Sequence, residues 1–84
     1  MSSPIRMPDI GAVSGSLRIS CWLVEPGELV DPGDRVVELV TPGSTFDVSA
    51  RLAGRLARID TPLDSLVQVG DILGWIEPEP ESFS

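Results

Sequence analysis

Residues Trp22–Asp34 read WLVEPGELVDPGD, and the last six of these letters return 37 residues later: LVDPGD (Leu29–Asp34) is answered by LVQVGD (Leu66–Asp71). Working outward at this spacing without a gap, Arg18 meets Arg55, Ile19 meets Leu56, Trp22 meets Ile59, Val36 meets Leu73 and Leu39 meets Ile76. Gly27 meets Asp64, a residue type that tolerates the left-handed backbone region better than most. Apolar and turn positions repeating together describe two similar units that bury their apolar faces against each other about a quasi-two-fold axis. Both units carry one irregularity. Ile19 and Trp22, like Leu56 and Ile59, are three apart, and a regular strand would put such a pair on opposite faces. A bulge or a bend is therefore expected at both places.

The units read as β structure. Eight glycines and eight prolines interrupt the chain at short intervals, and the segments between them are rich in Val, Leu and Ile. Strands are predicted near Ile5–Met7, Leu17–Val24, Arg35–Leu39, Phe46–Ser49, Gly54–Asp60 and Ile72–Ile76. EPGE (Glu25–Glu28), DPGD (Asp31–Asp34) and TPGS (Thr41–Ser44) read as turns, with Pro presetting φ and Gly supplying a positive φ. With 84 residues the chain has room for one domain, expected over residues 5–77. Residues 78–84 read as an acidic, flexible tail. Aromatic residues are only 5%, so the core must be aliphatic. Trp22 and Leu39 are expected inside it, and Trp75 half exposed.

Composition removes several function classes. A net charge of −7 offers no basic patch for nucleic acid. No apolar run reaches membrane-spanning length, and the N-terminus has no leader-like pattern. One cysteine, Cys21, permits no internal disulfide, which suits a cytoplasmic setting. With one cysteine and no histidine, no metal site is expected. All six basic residues are arginine: Arg6, Arg18, Arg35, Arg51, Arg55 and Arg58. Without lysine, histidine or tyrosine most general acid–base groups are missing, so the chain does not read as an enzyme. Asp31 and Asp34 read as turn formers, as does Asp71 at the position equivalent to Asp34.

These residues resemble the lipoyl domain of 2-oxo acid dehydrogenase complexes, within the biotinyl/lipoyl-attachment superfamily. The resemblance begins at MPDIG (Met7–Gly11) and runs through Ile19 and WLVEPGELVDPGD, similar to the family's W-L-V-x-x-G-D-x-V-x-x-G-D. DVSARLAGRL (Asp47–Leu56) is similar to E-V-x-A-P-x-x-G-x-L, with Arg51 where proline is usual. LVQVGDILGWI (Leu66–Ile76) is similar to V-x-V-G-x-x-L-x-x-I. The resemblance implies an all-β fold, a flattened barrel-sandwich hybrid of two four-stranded antiparallel sheets. It also implies a lipoyl-lysine at a hairpin tip, in a context like E-T-D-K-A. Counted from Gly33-Asp34, the attachment position falls on Gly43, at the tip Thr41, Pro42, Gly43, Ser44. The acidic neighbours fall on Val40 and Pro42, and Thr41 alone matches.

Glycine has no side chain to acylate, and an arginine guanidinium is too weakly nucleophilic at neutral pH to stand in for the amine. A degenerate lipoyl-like domain without lipoyl, biotin or other cofactor is therefore expected. Three readings follow. One is a monomeric, non-catalytic protein-binding or scaffolding module whose partner the sequence does not name. In the family the loop after the first strand helps partner enzymes recognise the domain; here it is GAVSGS (Gly11–Ser16), without the usual glutamates. Another is a lipoyl-like piece of a larger assembly such as a transport adaptor. The third is a carrier with a different attachment residue, with Ser44, Thr45 and Cys21 as the candidates. The plain reading of Ser44 and Thr45 is turn solvation. That of Cys21, inside a predicted strand, is a small packed residue.

Overall fold

The computed structural model describes residues 2–11 and 17–79. Eight strands follow one another: β1 (Ser3–Arg6), β2 (Leu17–Trp22), β3 (Leu29–Val30), β4 (Arg35–Thr41), β5 (Ser44–Ser49), β6 (Gly54–Ile59), β7 (Leu66–Val67) and β8 (Ile72–Pro78). They form two four-stranded antiparallel sheets, ordered β1-β8-β6-β3 and β5-β4-β2-β7. The six strands read from sequence are present, with ends moved by up to two residues. β1 starts at Ser3 and β8 reaches Pro78, each slightly beyond the expected 5–77. The remainder of the predicted tail, residues 80–84, lies outside the described residues.

Two strands were not legible in the sequence. β3 and β7 are two residues each, too short to show alternation, and lie between turns. They interlock the halves. β3 of the first half pairs with β6 of the second, and β7 of the second pairs with β2 of the first.

The repeat is a true structural symmetry. The β2–β4 register shifts between Ile19 and Cys21, and the β6–β8 register shifts between Leu56 and Arg58, the same place in each half. These are the two expected irregularities. Backbone bonds repeat with them. The Gly27 N–H donates to Leu56 O at 2.8 Å, and the Asp64 N–H donates to Ile19 O at 2.9 Å. Gly27 has φ 99° and Asp64 φ 68°, so both turns need a left-handed residue and the second obtains it from aspartate. Arg18 and Arg55 close the loops opposite them: Arg18 Nη1 donates to Asp64 O at 2.8 Å and Arg55 Nη1 to Gly27 O at 2.6 Å.

The first and fifth strands obey the same axis at a different offset, which the gapless alignment missed. The Met7 N–H donates to Asp71 O and the Ala50 N–H to Asp34 O, both at 2.8 Å. Met7 is thus the counterpart of Ala50, Ile5 of Val48 and Pro8 of Arg51. The longer connection between β1 and β2 breaks the constant spacing.

The core lies between the sheets. Ile19, Val36, Val37, Leu39 and Leu73 are fully buried, and Leu56, Val67 and Ile76 nearly so. Leu39 is where the sequence placed it. Trp22 is not: it is half-buried, at the edge of the cluster. It follows the bulge at the end of β2, and its indole N–H reaches out to Thr61 O at 2.9 Å. A buried tryptophan needs a partner for that N–H, and here the partner is a loop carbonyl.

Candidate functional site

The β4–β5 hairpin carries the tip singled out by the sequence. Val40 pairs with Thr45 and Thr41 with Ser44, which leaves Pro42 and Gly43 as a two-residue turn. Proline holds φ near −65° and Gly43 has φ 89°, the φ signature of a type II turn. Pro42, Gly43, Ser44 and Thr45 are exposed and Thr41 is half-buried. A Cβ built on Gly43 would meet nothing within 4 Å, so the tip has open space on its outer side. The obstacle to a side chain there is the backbone, because a positive φ strains any L residue.

Below the tip, Glu38 and Asp47 are direct cross-strand partners, an unfavourable like-charge pair. Each carboxylate has a separate partner. Asp47 Oδ2 accepts from Arg35 Nη1 at 3.2 Å, and Glu38 Oε1 accepts from Ser20 Oγ at 2.8 Å. Cys21 is the cross-strand partner of Glu38 on the other side. It lies in β2 but is exposed, which corrects the expectation of a packed residue. The bulge after Ile19 is the cause. It keeps Ile19 and Trp22 turned towards the core and leaves Cys21 outside.

The turn aspartates do what the sequence suggested. Asp34 Oδ2 accepts the Asp31 N–H and Asp71 Oδ2 accepts the Gln68 N–H, each at 2.8 Å. No group of three His, Cys, Asp or Glu side chains suited to a metal ion exists among the described residues. Of the loop Gly11–Ser16, Gly11 is described, and its N–H donates to Asp9 Oδ1 at 3.0 Å. The rest of that loop lies outside the described residues.

One cluster was not anticipated. Trp75, half-buried on the outer side of β8, donates its indole N–H to Asp60 Oδ2 at 2.7 Å. Arg58 Nε donates to Asp60 Oδ1 at 2.8 Å, and the guanidinium lies 5.5 Å from the Trp75 ring centroid. The indole bond is the main reason the Asp60 carboxyl sits below its ordinary range. Burial opposes the shift, and Arg58 adds a hydrogen bond and a charge that favour it. The available signal was Arg58 two residues before Asp60, since opposite charges at that spacing share a strand face.

A family model described as "Biotin-requiring enzyme", the biotin/lipoyl family, matches residues 3–76. The chain belongs to this biotin/lipoyl family. Among its relatives is the dihydrolipoyllysine-residue succinyltransferase component of the 2-oxoglutarate dehydrogenase complex of Bacillus subtilis, 31% identical over 72 residues. That match covers 86% of this chain and 17% of the relative. The dihydrolipoyllysine-residue acetyltransferase component of the pyruvate dehydrogenase complex of Rickettsia typhi is 30% identical over 83 residues, covering 98% of this chain and 20% of the relative. The chain thus spans no more than a fifth of the length of these two relatives. The solution structure of the lipoyl domain of the Azotobacter vinelandii 2-oxoglutarate dehydrogenase complex superposes with TM-score 0.69 at 25% identity, covering 90% of this chain and 98% of that domain. Kluyveromyces lactis urea carboxylase contains the same fold, with TM-score 0.74 at 19% identity, covering 92% of this chain and 6% of that enzyme. The barrel-sandwich fold and the kinship with lipoyl domains of 2-oxo acid dehydrogenase complexes both stand.

Proposed function

We propose that this biotin/lipoyl-family domain carries no lipoyl or biotin arm and works as a non-catalytic protein-docking module in the cytoplasm. The observation that carries the reading is the tip. Gly43 occupies the position that the resemblance assigns to the attachment lysine, its turn is built for glycine, and no lysine occurs anywhere in the chain. The relatives named above are components of multienzyme complexes, which supports a surface made for protein partners. Losing the arm removes the acyl-carrying chemistry and leaves the scaffold able to dock.

The test is intact-mass measurement after incubation with a lipoate–protein ligase and with a biotin–protein ligase. The expected result is an unchanged mass. A gain of one lipoyl or biotinyl group on the unaltered chain would overturn the proposal. A second reading, a carrier with another attachment residue, rests on the exposure of Ser44, Thr45 and Cys21. The same measurement on protein from its native source would reveal such an adduct.

A further inference from the structure

The six arginines divide by task. Arg18 and Arg55 close equivalent loops through backbone carbonyls. Arg35 and Arg58 pair with Asp47 and Asp60. The remaining two, Arg6 and Arg51, both line one groove of about 670 Å³ between the edges of β1 and β5. Arg6 touches the Gly70 carbonyl at 3.3 Å, and neither Arg6 nor Arg51 has an ion-pair partner among the described residues. Both are exposed. Among the described residues Arg18 and Arg55 likewise bond only backbone carbonyls, but Arg6 and Arg51 are the two arginines without an ion pair that share a groove.

The groove lies where two sheet edges face each other. Among the described residues β1 pairs only with β8 and β5 only with β4, so each has a side without a strand partner there. β5 has six residues and no proline, which leaves its edge able to pair. Ile5, Val48, Ala50 and Ile76 contribute apolar lining and are themselves buried. Asp47 also lines the groove, but its carboxylate is held by Arg35.

We infer that this groove binds an extended acidic segment of a partner protein in which apolar and carboxylate side chains alternate. Such a segment adds as a strand along β5, its backbone supplying the hydrogen bonds and alternate side chains the selectivity. The apolar side chains pack on Pro4, Pro8 and Leu52, the half-buried apolar lining of the groove. The carboxylates meet Arg6 and Arg51, whose planar guanidinium groups suit them better than lysine would. The inference deepens the docking reading above by naming the surface and the chemistry of the partner.

The probe is the peptide acetyl-Glu-Val-Glu-Val-Glu-amide, titrated into the 15N-labelled protein and followed by amide shifts. Saturable shifts are expected along β1 and β5. The peptide acetyl-Lys-Val-Lys-Val-Lys-amide should not produce them. In an Arg6→Ala/Arg51→Ala variant with a folded, dispersed spectrum, the dissociation constant should rise about five- to tenfold. In Arg58→Ala it should stay within about twofold, since Arg58 lies outside the groove. No saturable shift up to millimolar peptide, shifts confined to other strands, or an unchanged constant in the double variant would each overturn the groove. These outcomes leave the absence of an acyl arm intact, whereas a lipoylated native chain would sink the docking reading and leave the groove's own test standing.

Discussion

Trp22 packs over Gly74, and the equivalent pair in the other half is Ile59 with Val37. The backbones correspond, because Trp22 pairs with Val37 and Ile59 with Gly74 at matching points past matching bulges. The side chains do not. A Cβ on Gly74 would lie 3.1 Å from Trp22 Cη2 and 2.8 Å from Arg58 O, whereas Val37 is fully buried. The largest side chain of the core rim faces the smallest residue of the facing sheet, and medium-sized residues occupy the other half. Quasi-symmetry thus constrains the hydrogen bonds, while volume is conserved across the pair of sites and not within either one. The hairpins make the same point more strongly. The axis maps the β4–β5 pair onto β8 and β1, which no turn connects, so the tip at Pro42–Gly43 has no counterpart and was free to diverge.

The core comparison breaks most visibly at the buried pair Leu39 and Ile76. Each →Ala change should cost about 2–5 kcal/mol, and the two costs should agree to within about 1 kcal/mol if the halves are energetically equivalent. Urea unfolding of both variants measures this. Trp22→Ala should cost about 3 kcal/mol, the low end for tryptophan, because the ring is half-buried and its N–H bond to Thr61 is replaceable by water. Gly74→Ala should cost about 1–3 kcal/mol by overpacking. The double variant should recover part of that loss, since removing the indole relieves one of its two close contacts and leaves the backbone oxygen of Arg58. Full additivity of the two changes would refute the idea that Trp22 and Gly74 share one volume.

The hairpin comparison sharpens through chemistry. Gly43→Lys supplies an amine but sets a side chain at φ 89°, so this variant should be modified poorly by a lipoate–protein ligase. Val40→Glu/Pro42→Asp/Gly43→Lys frees the turn from proline and adds the acidic neighbours. Intact mass should show a larger modified fraction than for the single variant. Equal modification of both would mean that turn geometry is irrelevant to recognition.

The smallest effect concerns Asp60. Its folded pKa is depressed, so its contribution is present above the unfolded carboxylate value and is lost as pH falls through the folded one. The melting temperature of wild type should exceed that of Asp60→Asn slightly at neutral pH. The difference should fade below about pH 4. A difference that persists at pH 2 would show that the carboxylate charge is not its source.

Much of the scaffold was legible because it is written twice. One half's apolar spacing, turn glycines and three-residue irregularity predict the other's, so Asp64 could be placed in the left-handed region from its match to Gly27. The tip was legible for a different, local reason: Pro42 presets φ at the first turn position and Gly43 readily takes the positive φ of a type II turn at the second. What required the tertiary structure was anything set by contact between distant segments. β3 and β7 have two residues apiece and exist only because a strand of the other half lies alongside. Trp22 is half-buried because Gly74, far along the chain, leaves room beneath it and Thr61 accepts its N–H. Cys21 is exposed because the bulge turns it outward. Arg6 and Arg51 share a groove because the closing of two sheets brings their edges face to face. Local backbone preference acts through a few neighbouring residues and can be read from spacing, whereas burial and proximity depend on how the two halves interlock.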